Sequence, residues 1–328
     1  MSFHTYLQKF LEKELEFYST KNIQSGYTNL SYKYRENRKE ITESLSQAEE
    51  RLSYLAARMP ATFSAVSKVL EEIKGDISTT ITSVLDIGAG PGTAAWACYE
   101  NINTIQKISL IEKNKEMIAL GKKLAGEHKI LQNALWINND LLNINSAIEM
   151  ADIVIASYSL NEIPENNYLS LLDFLWKKTN YYLIIIDPGT PLSFKKIHSA
   201  RQWLIQQNAF LTAPCSHSNA CPAYTNKDWC HFSVRLQRTS LHKNLKKAEK
   251  SHEDEKFSYL IASKHPKPNF ESRVIRHPSK HSGHLKLQLC THNGIENVIC
   301  SKKQGEIYKK TKKLEWGDRC KISELRNC

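Results

Sequence analysis

Apolar residues recur at helical spacing through the first quarter of the chain. Leu7, Phe10, Leu11, Glu14 and Leu15 form a short amphipathic stripe, and Ile41, Leu45, Ala48, Leu52, Leu55 and Ala56 a longer one. Pro60 suits the first turn of a third helix that runs to about Lys74. From Ser83 the period changes. Short, β-branched apolar runs at Ser83 to Ile87, Lys107 to Ile111, Ala134 to Asn138, Asp152 to Ala156 and Leu183 to Ile186 read as strands. Helical stretches such as Thr93 to Tyr99 and Phe194 to Gln207 fall between or after them. Strands alternating with helices predict an α/β fold with a parallel sheet and crossover helices.

Val84 to Glu100, VLDIGAGPGTAAWACYE, joins the first strand to its helix through Gly88, Gly90 and Gly92. Such a turn lets a ligand approach the backbone closely. A dinucleotide fingerprint needs a glycine at position 93, where Thr93 stands, and presents N–H groups to a pyrophosphate. Asp86, two residues before the first glycine, would repel phosphate and attract the ammonium group of an amino-acid ligand. S-adenosylmethionine (SAM) is therefore expected rather than NAD, and the stretch resembles the first motif of class I SAM-dependent methyltransferases. Glu112, 20 residues past Gly92, ends the second strand where a carboxylate can accept ribose hydroxyls, and Asp140 follows the third, placed to reach the adenine amino group. The loop after the fourth strand, SYSLNEIP, offers Ser157, Asn161 and Glu162 as candidate catalytic residues to align a nucleophile and accept its proton. All these positions share the carboxyl edge of the sheet, where ligands of such folds bind. The Asp/Asn-Pro-Pro-aromatic motif of amino-directed methyltransferases is missing, and SYSL stands in its place.

At 328 residues the chain is long enough for about two domains with proper cores. It contains no apolar run of about 18 residues, so no membrane-spanning helix is expected. Lys9, Glu12, Lys13, Glu14 and Glu16 suit neither a signal nor a transit peptide, and a cytoplasmic location in a bacterium is expected. The formal charge of +11 is uneven: residues 231–328 carry 22 Lys and Arg against 10 Asp and Glu, and eight of the twelve histidines. A basic end on an otherwise balanced chain is the footprint of a polyanion partner. An anionic membrane fits less well, since no amphipathic helix with a broad apolar face accompanies the charge. A weaker signal of the same kind is the stretch from Tyr27 to Lys39, where Tyr32, Lys33, Tyr34, Arg35, Arg38 and Lys39 interleave cations with rings that can stack on bases.

Eight cysteines in a chain expected to be cytoplasmic point to thiol chemistry or metal rather than disulfides. Cys98 reads as core, and Cys320 and Cys328 have no clear partner. Cys215, Cys221 and Cys230 are spaced Cys-x5-Cys-x8-Cys within APCSHSNACPAYTNKDWCHFS, amid prolines and aromatic rings. Structural zinc sites usually begin with a spacing of two to four residues. Wider loops are more tolerable around a cluster, whose attachment points lie farther apart. A fourth ligand could come from Cys290, Cys300, His217 or His231. Cys290 is favoured because it ends the apolar run Leu285 to Leu289. The Cys-x3-Cys-x2-Cys of radical-SAM enzymes is absent, and Cys215 follows the helix after the fifth strand, misplaced for attack on a base.

Together, ARMPAT at Ala57 to Thr62, LDIGAGPGTAAWA at Leu85 to Ala97, DPGTP at Asp187 to Pro191, the APCSH, CP and DWCHF pieces, and EDEKFSYL at Glu253 to Leu260 closely resemble the mitochondrial small-ribosomal-subunit methyltransferase-like family. This is a family of assembly factors with bacterial members, and the resemblance covers nearly the whole chain. It implies a class I SAM-dependent, Rossmann-like methyltransferase sheet with an inserted cysteine-rich module, bound to small-subunit ribosomal RNA (rRNA) during assembly; no DNA partner is expected. It implies a structural [4Fe-4S] cluster held by Cys215, Cys221, Cys230 and Cys290, with zinc the alternative. The expected division is a helical region (1–75), a SAM-binding core (76–210), the iron-sulfur insertion (211–252), and the last core strands with a basic extension (253–328). In that last part Arg273 to His277, His284 to Cys290 and Val298 to Lys303 are expected to finish the sheet and add a basic hairpin. Two functions follow: methyl transfer to small-subunit rRNA, or a non-catalytic clamp that binds SAM and rRNA.

Overall fold

Ser2 caps the first helix, its hydroxyl accepting the Thr5 N–H, and α1 (Phe3–Leu15) then buries Phe3, Leu7 and Leu11 on one face. The computed structural model describes residues 2–36, 45, 47–74, 81–144, 147–267 and 270–326. After α1 come α2 (Thr20–Glu36), α3 (Ala48–Ala57) and α4 (Met59–Leu70), the last with Pro60 in its first turn. Of the apolar stripe from Ile41, the part from Ala48 is helical. Leu45 is buried in a turn ahead of α3, while Ile41 lies outside the described residues. The Phe3 ring stacks on Phe63 at 4.1 Å and leans on Trp96 at 5.3 Å, which fastens α1 to α4 and to the helix after the glycine turn.

Two compact units divide the chain, Met1–Asn180 with Val234–Glu255, and Tyr181–Ser233 with Lys256–Cys328. In the first, β1 (Ser83–Ile87), α5 (Thr93–Asn101), β2 (Lys107–Glu112), α6 (Lys115–Ala125), β3 (Leu135–Asn138), β4 (Ala151–Ser157) and α7 (Glu165–Lys178) follow the predicted alternation. The strands lie in the order β3-β2-β1-β4, all parallel, with Leu85 opposite Ser109 on one side and Val154 on the other. β1 and β4 are buried along nearly their whole length, as strands covered on both faces must be. The chain passes from β1 outward through β2 to β3, then returns to the other side of β1 as β4. That reversal places a switch point at the carboxyl ends of β1 and β4. This is the Rossmann-like α/β arrangement of class I methyltransferases expected from the sequence.

The second unit holds most of β5 (Thr179–Pro188), then α8 (Pro191–Gln206) and β6 (Phe210–Ala213). β7 (Phe232–Gln237) pairs with β8 (His252–Ser263), and β8 runs antiparallel to both β5 and β6; α9 (Ser240–Lys246), between them in the chain, belongs to the first unit. The segments expected to finish this sheet do not join it. β9 (Ser272–Val274), β10 (Ser279–Lys280), β11 (His284–Thr291), β12 (Gly294–Ser301) and β13 (Arg319–Cys320) form a separate five-stranded sheet, in which β11 and β12 are the expected hairpin. The reason lies in the pattern of β11. It buries Leu285, Leu287 and Leu289 on one face and turns Lys286 outward, the alternation of a one-sided antiparallel sheet. That face closes a core of its own with Val274, Cys300, Ile322 and Leu325. Among the described residues no helix is long and apolar enough to cross a membrane.

Candidate functional site

All three glycines of the turn have positive φ: +65° at Gly88, +55° at Gly90 and +84° at Gly92. Side chains other than glycine reach these values only with strain. The turn is held from below and from the side. Asp86 is buried and accepts the Ala95 N–H at 3.0 Å, and burial pushes its carboxyl up to about 7. Glu112 accepts the Gly90 N–H through one oxygen and the Asn114 N–H through the other, both at 2.8 Å. Burial raises its pKa, and those N–H groups oppose the shift. Asp140 accepts the Leu142 N–H at 2.9 Å and caps a short 3-10 turn. In this structure the predicted acids therefore brace the backbone at the carboxyl edge, with Glu112 and Asp140 partly accessible.

The loop after β4 sits on the turn. The Ser159 hydroxyl donates to the Ile87 carbonyl at 2.8 Å. Ser157 lies on the same edge, its hydroxyl buried and without a hydrogen-bond partner among the described residues. Tyr158, in left-handed backbone at φ +59°, donates its hydroxyl to Glu255 at 2.8 Å. Asn161 is half-buried and Glu162 exposed in the following 3-10 turn, Leu160–Glu162. The three predicted catalytic candidates thus share one short loop beside the glycines.

Sequence reasoning missed three neighbours of that loop. The Tyr54 hydroxyl lies 3.7 Å from where a Cβ on Gly90 would stand, and burial raises its pKa. Arg58 holds its guanidinium 5.8 Å from the Tyr158 ring centroid and 3.9 Å from Glu255. Arg58 and Glu255 lie in ARMPAT and EDEKFSYL, so the family pattern marked them without giving a chemical role. Tyr54 stands four residues before Arg58, on the same helix face.

In the second unit the predicted thiols converge. Cys215, Cys221, Cys230 and Cys290 line one cavity together with His217, Arg201 and Arg273. Burial pushes the Cys290 thiol up to about 12 and raises Cys221 and Cys230, with Cys215 adding to each. Arg201, 3% exposed, donates to Cys215 Sγ at 3.3 Å and to the carbonyls of His217 and Asn219. Arg273, 1% exposed, donates to the carbonyls of Pro214 and Gly317, both at 2.6 Å. The strand sets Cys290 and Cys300 on different faces. Cys300 faces the apolar core with Leu285 and Leu287, whereas Cys290 lies on the opposite face of β11, 3.8 Å from His217 Nε2. His231 does not line the cavity; it stacks on Trp229 and meets Trp316 edge-on. Among the described residues no three His, Cys, Asp or Glu side chains are arranged to hold a metal ion.

The basic end is presented as a short ridge. Lys302, Lys303, Lys309, Lys310, Lys312 and Lys313 are exposed around α10 (Glu306–Thr311), while Ile307 and Tyr308 pack on the β11 core. Of the earlier aromatic and basic stretch, Tyr32 is exposed on α2, and Arg38 and Lys39 lie outside the described residues.

A family profile described as Rsm22, mitochondrial small ribosomal subunit Rsm22, matches residues 48–321. The human protein named ribosome assembly protein METTL17, mitochondrial, is 26% identical over 84% of this chain and 62% of its own length. Rsm22-cox11 tandem protein 2, mitochondrial, of Schizosaccharomyces pombe is 25% identical over 81% of this chain and 42% of its own. The chain therefore spans less than two thirds of either relative. Among solved structures it is similar to a putative RNA methyltransferase, PH1948, from Pyrococcus horikoshii, with TM-score 0.40, 16% identity, and coverage of 61% of this chain and 81% of that one. A SAM-dependent methyltransferase from Aquifex aeolicus gives TM-score 0.40, 14% identity, and coverage of 65% and 97%.

Proposed function

The chain belongs to the Rsm22 family, and from that premise we propose that it binds SAM on the glycine turn and small-subunit rRNA through its basic end during ribosome assembly. The observation that carries this reading is the turn itself: three positive-φ glycines at the switch point, with Glu112 on the Gly90 N–H. Glu112 is partly accessible and can accept a ribose hydroxyl, and Asp140 stands beyond β3 for the adenine amino group. Asp86 supports the turn from beneath by accepting the Ala95 N–H.

The same reading gives the thiols a structural [4Fe-4S] cluster. Cys215, Cys221, Cys230 and Cys290 would hold it, and its chemistry there is cross-linking, tying the 215–230 loop to β11. What supports this is that the four thiols share one cavity, and that the wide Cys-x5-Cys-x8-Cys loops suit a cluster better than zinc. Two buried guanidiniums lie against that cavity and would gain anionic partners from cluster-bound thiolates.

The acceptor loop separates binding from catalysis. Tyr158 and Ser159 spend their hydroxyls on Glu255 and Ile87, and the Ser157 hydroxyl is buried, which supports a clamp without chemistry. Methyl transfer is the second reading, and the exposure of Glu162 favours it. In that reaction the methyl group leaves the sulfonium for a base nucleophile, S-adenosylhomocysteine (SAH) departs, and Glu162 takes the released proton. The test is methyl transfer from labelled SAM to immature small subunits, with anaerobically purified protein beside Glu162→Gln, and calorimetry with SAH. Label in rRNA that Glu162→Gln removes makes the protein an enzyme. SAH and rRNA binding without label leaves the clamp. Failure to bind SAH overturns the proposal.

A further inference from the structure

This inference rests on the reading that the glycine turn holds SAM. SAM is a zwitterion at its methionine end, so its site needs a cation for the carboxylate as well as anionic character for the ammonium. Acids are plentiful at the switch point: Asp86 beneath the turn, Glu112 beside it and Glu162 in the neighbouring loop. Among the described residues three cations interact with this edge, and one of them, Lys246, is held by both oxygens of Glu253. Lys113 follows Glu112 at the end of β2, the side assigned to the ribose. Arg58 is on the other side, where the turn after β1 meets the loop after β4.

Several contacts fix Arg58 there. Tyr54 and Arg58 are one helical turn apart, and the Arg58 N–H donates to the Tyr54 carbonyl at 2.8 Å. Tyr54 carries this face onto the turn through its hydroxyl, 3.7 Å from the Cβ position of Gly90. The guanidinium itself faces the Tyr158 ring at 5.8 Å, and Tyr158 directly follows the last residue of β4. Glu255 lies 3.9 Å from one guanidinium nitrogen and is itself anchored by the Tyr158 hydroxyl. Glu255 flanks the guanidinium at that distance, and the Arg58 side chain is 29% exposed, so part of it faces solvent at this edge. Ribose on the β2 side sends the methionine end of the ligand toward β4, where Arg58 stands.

We propose that Arg58 receives the carboxylate of the SAM methionine moiety, with the Tyr54 hydroxyl beside it, so that the N-terminal helices form one wall of the cofactor site. Arg58 is a specificity residue for the amino-acid half of the ligand, and the adenosine half is held independently of it.

That independence supplies the experiment. SAH carries the amino-acid half, and 5′-methylthioadenosine carries the same adenosine and sulfur without it. Binding of both is measured by calorimetry to the full chain, to Arg58→Ala and to Arg58→Lys. Arg58→Ala should weaken SAH about ten- to a hundredfold, the range of a hydrogen-bonded charge contact, and leave methylthioadenosine within about twofold. Arg58→Lys should fall between, since it keeps the charge and loses the fork. Unchanged SAH affinity in Arg58→Ala overturns the proposal. So does an equal loss of both ligands in both variants, which makes Arg58 a packing residue. A wild-type chain that binds neither ligand fails at the earlier step, because the turn then holds no SAM at all.

Discussion

Ser159 stands so close to Gly88 that no side chain fits between them: a Cβ on Gly88 would lie 2.5 Å from the Ser159 Cβ. The Ser159 hydroxyl, bonded to the Ile87 carbonyl, fixes this approach, so the loop carrying the catalytic candidates rides on the glycine turn. Gly88→Ala meets both the clash and a φ of +65°, and should cost about 1–3 kcal/mol of stability and abolish SAH binding. Gly90→Ala meets only ordinary contacts, the nearest 3.7 Å away, and should cost about 1–2 kcal/mol from its φ alone. Urea midpoints and SAH calorimetry on the two variants check the order. Equal losses would mean that the loop yields freely and does not ride on the turn.

Asp86 predicts a pH dependence of stability. Its carboxyl is raised from 3.8 to about 7 by burial, with the Ala95 N–H opposing and the Glu112 charge adding. The folded state therefore binds a proton that the unfolded state has released across that window. Stability contributed at this site falls as pH rises from about 4 to about 7, at up to about 1.4 kcal/mol per unit, and levels off above. Asp86→Asn keeps an acceptor for Ala95 and removes the titration. Denaturation midpoints from pH 5 to 8 should decline less steeply for Asp86→Asn than for wild type; parallel curves would show that Asp86 stays ionised in the folded state.

Much of this architecture was legible because its residues obey a single period. β1, β2 and β4 are apolar-rich runs between turn signals, and the glycine spacing marked the turn that leads from β1 into α5. What stayed hidden depends on residues distant in the chain. Nothing local distinguishes Tyr54 from any half-apolar helix position, and its contact with Gly90 exists only once α3 packs beside the turn. The role of Asp86 as a brace was hidden for the same reason, since the Ala95 N–H reaches it only after α5 forms. The second sheet departs from expectation because apolar strands late in the chain need not extend the nearest sheet. The alternation in β11, Leu285, Leu287 and Leu289 against Lys286, already carried the signal of a one-sided sheet.

The thiols make a comparison between two cysteines on paired strands. Cys290 faces the cavity with Cys215, Cys221 and Cys230, whereas Cys300 is 1% exposed in the β11 core. Under the cluster proposal, Cys290→Ser should lose iron and acid-labile sulfide in anaerobically purified protein, and fold poorly. A structural metal can supply on the order of 10 kcal/mol of folding free energy, by analogy with zinc. Cys300→Ser should keep its iron and lose about 1–3 kcal/mol from a buried hydroxyl in an apolar core. Iron retained by Cys290→Ser and lost by Cys300→Ser would reverse the assignment.

The lysine ridge carries the last prediction. Ile307, Tyr308 and Leu314 pack on the β11 core, so the backbone of this segment is anchored while its lysines project to solvent. Lys309 is held by Glu306 at 2.6 Å, and its charge is partly spent there. Lys302, Lys303, Lys312 and Lys313 lie exposed on both sides of α10. Replacing these four with alanine should leave thermal stability nearly unchanged, since surface substitutions away from packed features usually cost within about 0.5 kcal/mol. If each meets a phosphate of small-subunit rRNA, the slope of log K against log salt should flatten by about 0.7–0.9 for every phosphate no longer neutralised. Fluorescence anisotropy with an rRNA fragment, titrated across salt concentration, reads both affinity and slope. A weaker complex with a flatter slope places the ridge on the phosphate backbone. An unchanged slope assigns the electrostatic interaction to another surface, because counterion release reports the number of phosphates neutralised and not the fold that presents the charges.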